Sequence, residues 1–294
     1  MRVLITGCHG QVGSCLTQQL NECGNITVLP LDKAHLDITN RDAVFAIVEE
    51  FQPTVIINAA AHTAVDKAEE QIELSYAINR DGPKYLAQAA ATVSAMMLHI
   101  STDYVFEGNK VGEYVETDIT NPQGVYGASK LAGEMEVAKA CQQHVILRTA
   151  WVFGEHGNNF VKTMLRLGAT RNELGIVGDQ FGGPTYAGDI AKALIQIAQH
   201  FERGDNVESG VYHFSGLPHV SWLEFAETIF AQAAKQKVLD KKPTLNGLTT
   251  EQYPTPAKRP SNSKLRTNKI QETFSIEASD WLKALNNIQA YTEE

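Results

Sequence analysis

Residues 2–16 read RVLITGCHGQVGSCL, an apolar, β-branched run that breaks at a glycine and resumes with helical composition. Gly7, Gly10 and Gly13 form G-x-x-G-x-x-G between the strand-like RVLIT and the helix-like QVGSCLTQQLNE. Glycines so spaced let the backbone turn tightly, approach a pyrophosphate and press a helix onto a sheet, while the helix N-terminus favours negative charge. The stretch therefore predicts the opening strand and helix of a dinucleotide-binding fold, with Gln11 and Val12 beside the phosphates.

The same rhythm continues outward from that turn. ITVLP precedes RDAVFAIVEEF, TVIINAA precedes a helical stretch from Ile72 to Val93, and AMMLHIS, a helix in GASKLAGEMEVAKA and HVILRTA follow. Parallel strands need crossover helices, so this alternation predicts an α/β, doubly wound parallel sheet of the Rossmann class. Residues 1–150 are expected to form the dinucleotide-binding domain, joined by parts of 181–216, and residues 151–294 mainly a smaller C-terminal substrate-binding lobe. Helical patterns there are NNFVKTMLRLG, DIAKALIQIAQHF, SWLEFAETIFAQAAKQ and a final amphipathic SDWLKALNNIQAY, with a strand at GVYHFS. The Pro-, Thr- and Asn-rich segment from Lys241 to Arg266 reads as an ordered binding loop or lid.

Totals narrow the function classes. A net charge of -9 and a pI of about 5.5 argue against a sequence-independent grip on nucleic acid or anionic membrane. Any anionic ligand must meet a local cationic patch. The four cysteines show no C-x-x-C or Cys/His metal spacing, and no signal-peptide core opens the chain. No apolar run approaches the roughly 18 residues of a membrane span. A cytoplasmic protein is expected.

Chemistry-bearing residues gather at predicted strand ends. Asp32 falls about 20 residues beyond the glycines, where a carboxylate accepts from an adenosine ribose hydroxyl; Asp37, beside Ile38, is the second candidate. Asp32 suits the free ribose of NADH, whereas Lys33 suits the 2′-phosphate of NADPH, so either cofactor is expected. Ala61, His62 and Thr63 in NAAAHTAVDKAEE lie where the nicotinamide-side ribose and pyrophosphate would pass, His62 as a hydrogen-bonding residue and not as an acid or base. Ser101, Thr102 and Asp103 end the strand in HISTDYVFEG, and hydroxyls there can bond a substrate carbonyl. Tyr126 and Lys130 share one face of a helix. Alone such a pair is usually a solvated surface feature; beside Thr102 and a dinucleotide it becomes an acid site.

TGCHGQVG, ISTDYVF and YGASK resemble the extended short-chain dehydrogenase/reductases. NAAAHTAVDKAE, STDYVFEG, VYGASKLAGE, RTAWVFG, NNFVKTMLRL, DQFGGPTYA and YPTPAKRPSNSKL, spread in order over nearly the whole chain, are similar to the dTDP-4-dehydrorhamnose reductase family within them. The resemblance implies NADPH- or NADH-dependent reduction of the C4 ketone of dTDP-4-dehydro-6-deoxy-L-mannose to dTDP-L-rhamnose, used in polysaccharide biosynthesis. It implies Tyr126 as proton donor, Lys130 as the cation that, together with the cofactor's charge, draws the phenol pKa from about 10 toward neutrality and that holds the nicotinamide ribose, and Thr102 as the hydroxyl orienting the carbonyl. Asp103 and Trp151 would border the substrate, and Arg259 in AKRPSN would hold its diphosphate. The first helix carries no carboxylate before Glu22, so no metal is expected. A homodimer is expected, although no residue pattern sets the oligomeric state. Two alternatives stay open: a non-catalytic regulatory subunit, since similar chains partner methionine adenosyltransferase, and a reductase of another nucleotide-linked 4-keto sugar. Intact Thr102, Tyr126 and Lys130 favour catalysis.

Overall fold

The structure, a computed structural model, describes residues 1–292. The opening half alternates as β1 (Arg2–Thr6), α1 (Gln11–Asn21), β2 (Thr27–Leu31), α2 (Arg41–Phe51) and β3 (Val55–Asn58). Short helices α3 (Val65–Ala68) and α4 (Ile72–Tyr76) lead through a π-helical turn into α5 (Gly82–Thr92), followed by β4 (Met96–Thr102), α6 (Val125–Ala140) and β5 (His144–Thr149). Beyond it come β6 (Val152–Phe153), α7 (Phe160–Thr170), β7 (Glu173–Val177), β8 (Phe181–Gly182), β9 (Thr185–Tyr186), α8 (Ala187–Glu202) and β10 (Gly210–His213). The chain closes with β11 (Val220–Ser221), α9 (Trp222–Lys235), β12 (Thr244–Leu248), β13 (Asn262–Ser263), α10 (Asn268–Phe274) and α11 (Trp281–Ala284).

The main sheet has six strands in the order β2-β1-β3-β4-β5-β10, all parallel. Alternate residues face opposite layers. Val3, Ile5, Ile57, Leu98 and Leu147 pack with Leu16 of α1 and Leu194 of α8, whereas Leu4, Ile56, Met97 and Ile146 pack with Val48 of α2, Leu86 of α5 and Val137 of α6. Strand order reverses between β1 and β3, which leaves a crevice above their carboxyl ends, the place where open α/β sheets bind ligands. Helix α8 and strand β10 return to this sheet from the second half of the chain, and α10 packs on both.

A second core holds the remaining elements together. Val161 and Leu165 of α7, Phe225, Ile229 and Phe230 of α9, and Trp281, Leu285 and Ile288 near the C-terminus bury one another. The segment expected as a binding loop is ordered: β12 pairs with β7 and β13 with β8.

Two expected helices are interrupted. Ile72–Val93 contains the π-helical turn Ala77–Asp81, one residue ahead of Gly82-Pro83. Pro83 has no N–H for the Asn79 carbonyl, so a regular α-helical ladder cannot pass this point. The final helix ends at Ala284 and continues as a 3-10 segment, Leu285–Tyr291, with Asn287 outside helical geometry. Among the described residues no helix is long and apolar enough to cross a membrane.

Candidate active site

The glycine turn is built for close contact. Gly7 has φ +74, and a Cβ on Gly13 would lie 2.0 Å from the Gly7 carbonyl oxygen, so neither position admits a side chain without moving backbone. Gly10 caps α1 without a side-chain hydrogen bond, and no acidic residue stands in the first turn. The leading N–H groups of α1 are thus left for an anionic ligand, which fits a dinucleotide pyrophosphate.

Above this turn lies a cleft of about 500 Å³. Gly10, Gln11, Val12, Ala61, Thr63, Thr102, Asp103, Tyr126, Lys130 and Trp151 all line it, so most of the expected site residues converge. Helix α6 reaches it because its inner face is small: a Cβ on Gly127 would lie 2.1 Å from the Tyr104 carbonyl oxygen, and one on Gly133 2.0 Å from that of Asn79. Glu69 accepts a hydrogen bond from Val125 N (2.8 Å) at the N-terminus of α6, and Asn79 in the π turn donates to Ser129 Oγ (3.0 Å). These two contacts fix the depth at which Tyr126 and Lys130 sit.

Several expected residues are engaged elsewhere. His62 does not line the cleft; its ring bonds Ser75 Oγ (3.0 Å) and its backbone N donates to Asn79 Oδ1 (2.8 Å). Asp37 Oδ1 accepts from Thr39 N (3.0 Å) and Oγ1 (2.7 Å), a local turn ahead of the Asn40 cap of α2. The Ile38 side chain is buried against Gly82 at the start of α5. Asp32, just past β2, accepts from His35 N (3.0 Å) and faces His35 Nδ1 (2.7 Å) and His9 Nε2 (3.3 Å). The bonds from the His35 side chain and backbone hold its carboxyl below the usual range. Sequence reading found Lys33 but missed His9 and His35, which stand against Asp32 at this corner.

The proton inventory differs from expectation. Burial raises the Tyr126 phenol above its ordinary pKa, Asp103 adds to the rise, and a hydrogen bond with Thr102 opposes it. Lys130 does not draw the phenol down: its Nζ donates to the Ile100 carbonyl (2.6 Å) and meets His99 Nε2 at 3.4 Å. Burial lowers Lys130 itself to about 8. Tyr126 therefore carries its proton at neutral pH, as a donor must. The Ser101 hydroxyl turns away to Glu134, which pairs with Arg148 beneath the site through Nε–Oε1 (2.9 Å) and Nη2–Oε2 (2.7 Å).

Asp103 is buried beside Thr102 and accepts from Thr102 (3.1 Å) and Ser263, yet burial outweighs these bonds and raises its pKa to about 6. A raised carboxyl pKa means that the folded state binds the proton more tightly. The resulting stability is fully present below the unfolded value and lost as pH rises through 6. Asp103→Asn should remove this loss. Relative to the parent, its unfolding free energy in urea should gain roughly 2 to 3 kcal/mol between pH 4 and 7.5; a pH-independent difference would refute the assignment.

Trp151 has φ +49 and stacks on Trp222 with centroids 3.5 Å apart at 10°. It is both cleft wall and packing element. Arg259 is half-buried, with Nη2 paired to Asp66 Oδ2 (2.6 Å) and Nη1 donating to Tyr104 OH (3.2 Å). It stands next to the cleft wall at Tyr104 and not in the lining itself. Asp66 also accepts from Ala257 N (3.1 Å) and so anchors the whole Arg259 segment to α3. Asp66, Glu69, Ser263 and Trp222 were not found from the sequence: each lies in or near a quoted segment, but no spacing rule links partners so far apart in the chain.

A family model described as "RmlD substrate binding domain" matches residues 1–293. The dTDP-4-dehydrorhamnose reductase of Aggregatibacter actinomycetemcomitans is 54% identical over 292 residues, 99% of each chain. The crystal structure of a dTDP-4-dehydrorhamnose reductase from Clostridium acetobutylicum superposes with a TM-score of 0.90 at 42% identity, covering 98% of both chains. That of the Bacillus anthracis enzyme, solved in complex with NADP, gives a TM-score of 0.90 at 38% identity and the same coverage. Matched over nearly its entire length in sequence and in fold, the chain belongs to the dTDP-4-dehydrorhamnose reductase family.

Proposed function

We propose that the protein reduces the C4 ketone of dTDP-4-dehydro-6-deoxy-L-mannose to dTDP-L-rhamnose with NADPH or NADH. The observation that carries this reading is the convergence of Thr102, Tyr126 and Lys130 on one cleft above an uncapped, glycine-built helix N-terminus. Gly7, Gly10, Gln11, Val12 and Gly13 would hold the pyrophosphate, Asp32 with its basic neighbours the adenosine ribose, and Lys130 the nicotinamide ribose. When bound, the nicotinamide supplies the hydride for C4.

The chain's own residues do the remainder. Thr102 orients the ketone oxygen, and Tyr126 gives its phenolic proton to that oxygen as negative charge develops there. Burial keeps the phenol protonated until the oxygen becomes basic enough to take the proton. Trp151, supported by Trp222, walls the sugar side, and Asp103 borders it. Arg259 reaches the substrate diphosphate after exchanging Asp66 for phosphate, a bidentate acceptor of similar geometry. From the free cysteines and from the described residues, among which no helix is long and apolar enough to cross a membrane, we place the enzyme in the cytoplasm, and we carry a homodimer as its assembly.

The direct test is NADPH oxidation by the purified chain with dTDP-4-dehydrorhamnose, with the product sugar identified by NMR. No oxidation by the pure chain would favour the regulatory-subunit alternative, and a different hexose would favour another 4-keto sugar. Arg259→Ala should weaken dTDP-sugar binding by about 1.5 to 3 kcal/mol, the worth of a charged hydrogen bond, while leaving NADPH affinity unchanged. Calorimetry showing equal dTDP-sugar affinity would remove Arg259 from the site.

A further inference from the structure

A buried polar chain runs across three neighbouring strands and stops at Lys130. Thr6 of β1, Asn58 of β3 and His99 of β4 are all fully or almost fully buried. Ala60 N donates to Asn58 Oδ1 (3.1 Å), and Thr6 Oγ1 donates to the same oxygen (2.7 Å). A backbone N–H can only donate, so it decides which end of the Asn58 amide faces it. The amide nitrogen, Nδ2, is left 3.0 Å from His99 Nδ1. An amide nitrogen accepts no hydrogen bond, so Nδ1 must be the acceptor and the neutral ring carries its proton on Nε2. That nitrogen lies 3.4 Å from Lys130 Nζ. With Lys130 an ammonium, donor meets donor; with Lys130 a neutral amine, the ring N–H meets a lone pair.

We infer that Thr6 and Asn58 lock His99 as the Nε2–H tautomer, and that this N–H weakens the hold of Lys130 on its proton. His99 is thus a positioning residue that acts through Lys130. Burial and the neighbouring Lys130 hold its own pKa well below the ordinary imidazole value, so the ring stays neutral. The other groups around Lys130 are accounted for. Glu134, one turn along α6, pulls toward the charged form but is shared with Arg148 of β5; Tyr126, one turn back, is a protonated phenol; Asp103 lies beyond Thr102 at the end of β4. Burial already brings Lys130 to about 8, and the fixed ring N–H acts in the same direction. The inference rests on the proposed role of Lys130 beside Tyr126, yet it can be tested without substrate or NADPH, so failure of the reductase reading and failure of this one are distinguishable.

The first measurement is the tautomer of His99 in the parent protein by 15N NMR of histidine-labelled chain, with His99→Gln used for assignment. A proton on Nε2, unchanged from pH 5.5 to 8.5, is expected; a proton on Nδ1, or titration in that range, overturns the inference. The second is Asn58→Asp, which offers Nδ1 a carboxylate acceptor. The ring should then reverse its tautomer and accept from the Lys130 ammonium. The titration midpoint of Lys130, followed by its 13Cε shift, should rise by about one pH unit or more, a tenfold tighter hold on the proton. An unmoved midpoint overturns the inference. Should Asn58→Asp fail to fold, the parent tautomer still decides the question.

Discussion

Tyr126→Phe is expected to lower turnover by about 10² to 10⁴, the usual worth of a positioned general acid, with little change in KM for the sugar. The substitution keeps the ring, its T-shaped contact with Tyr104 at 5.4 Å and its place in the opening turn of α6. It removes the hydroxyl that bonds Thr102 and that is proposed to protonate the ketone oxygen. Protonation from bulk water would then have to serve a cleft lined from Gly10 through Asn158, and the oxygen would hold its developing charge longer. Folding and NADPH binding should persist, which single-turnover NADPH oxidation and fluorescence titration would separate from the chemical step. Parent-like turnover in the variant would reduce Tyr126 to a packing residue.

Arg148→Met should cost about 3 to 5 kcal/mol of stability, the typical penalty for leaving one member of a buried ion pair behind. Arg148 and Glu134 side chains are 5% and 4% exposed, and two parallel N–H···O bonds join them. Removing the guanidinium strands the carboxylate, with the Ser101 hydroxyl as its remaining donor, and also deletes a cation stacked 5.0 Å from the Phe106 ring centre. Against a typical folding free energy of about 5 to 15 kcal/mol the loss would be large. Replacing Glu134 by leucine in the same chain should recover most of it, because an apolar pair of similar volume has no charge to desolvate. Urea unfolding of the single and double variants is the measurement. A single-variant loss below about 1 kcal/mol would mean that water reaches the pair.

Both residues show how the site hangs on its support. Glu134 lies one turn beyond Lys130 on α6 and ties that helix to β4 through Ser101 and to β5 through Arg148. Glu69 caps the start of the same helix, and Gly127 and Gly133 let it approach the strands. The cleft is therefore braced from below by charge and from the side by close backbone packing. Trp151 is different, since its left-handed backbone and stacked ring depend on Trp222 and on the absence of a side chain at Gly182.

The sequence by itself determined what is local or periodic. Short apolar runs at β1, β3 and β4, alternating with helical patterns, wrote the sheet, G-x-x-G-x-x-G wrote the phosphate turn, and a four-residue spacing put Tyr126 and Lys130 on one helix face, because these signals are local to the backbone. Tertiary structure alone decided which distant residues complete each group. Ser263 reaches Asp103 across 160 residues and Arg259 reaches Asp66 across 193, separations at which no spacing rule operates. Proton affinities were likewise invisible: the sequence offered Lys130 as the cation that lowers Tyr126, whereas burial raises the phenol, lowers the lysine and turns its amine toward Ile100 and His99. Solvation depends on what surrounds a group in space, and that is fixed only when strands β1, β3 and β4 lie side by side beneath α6.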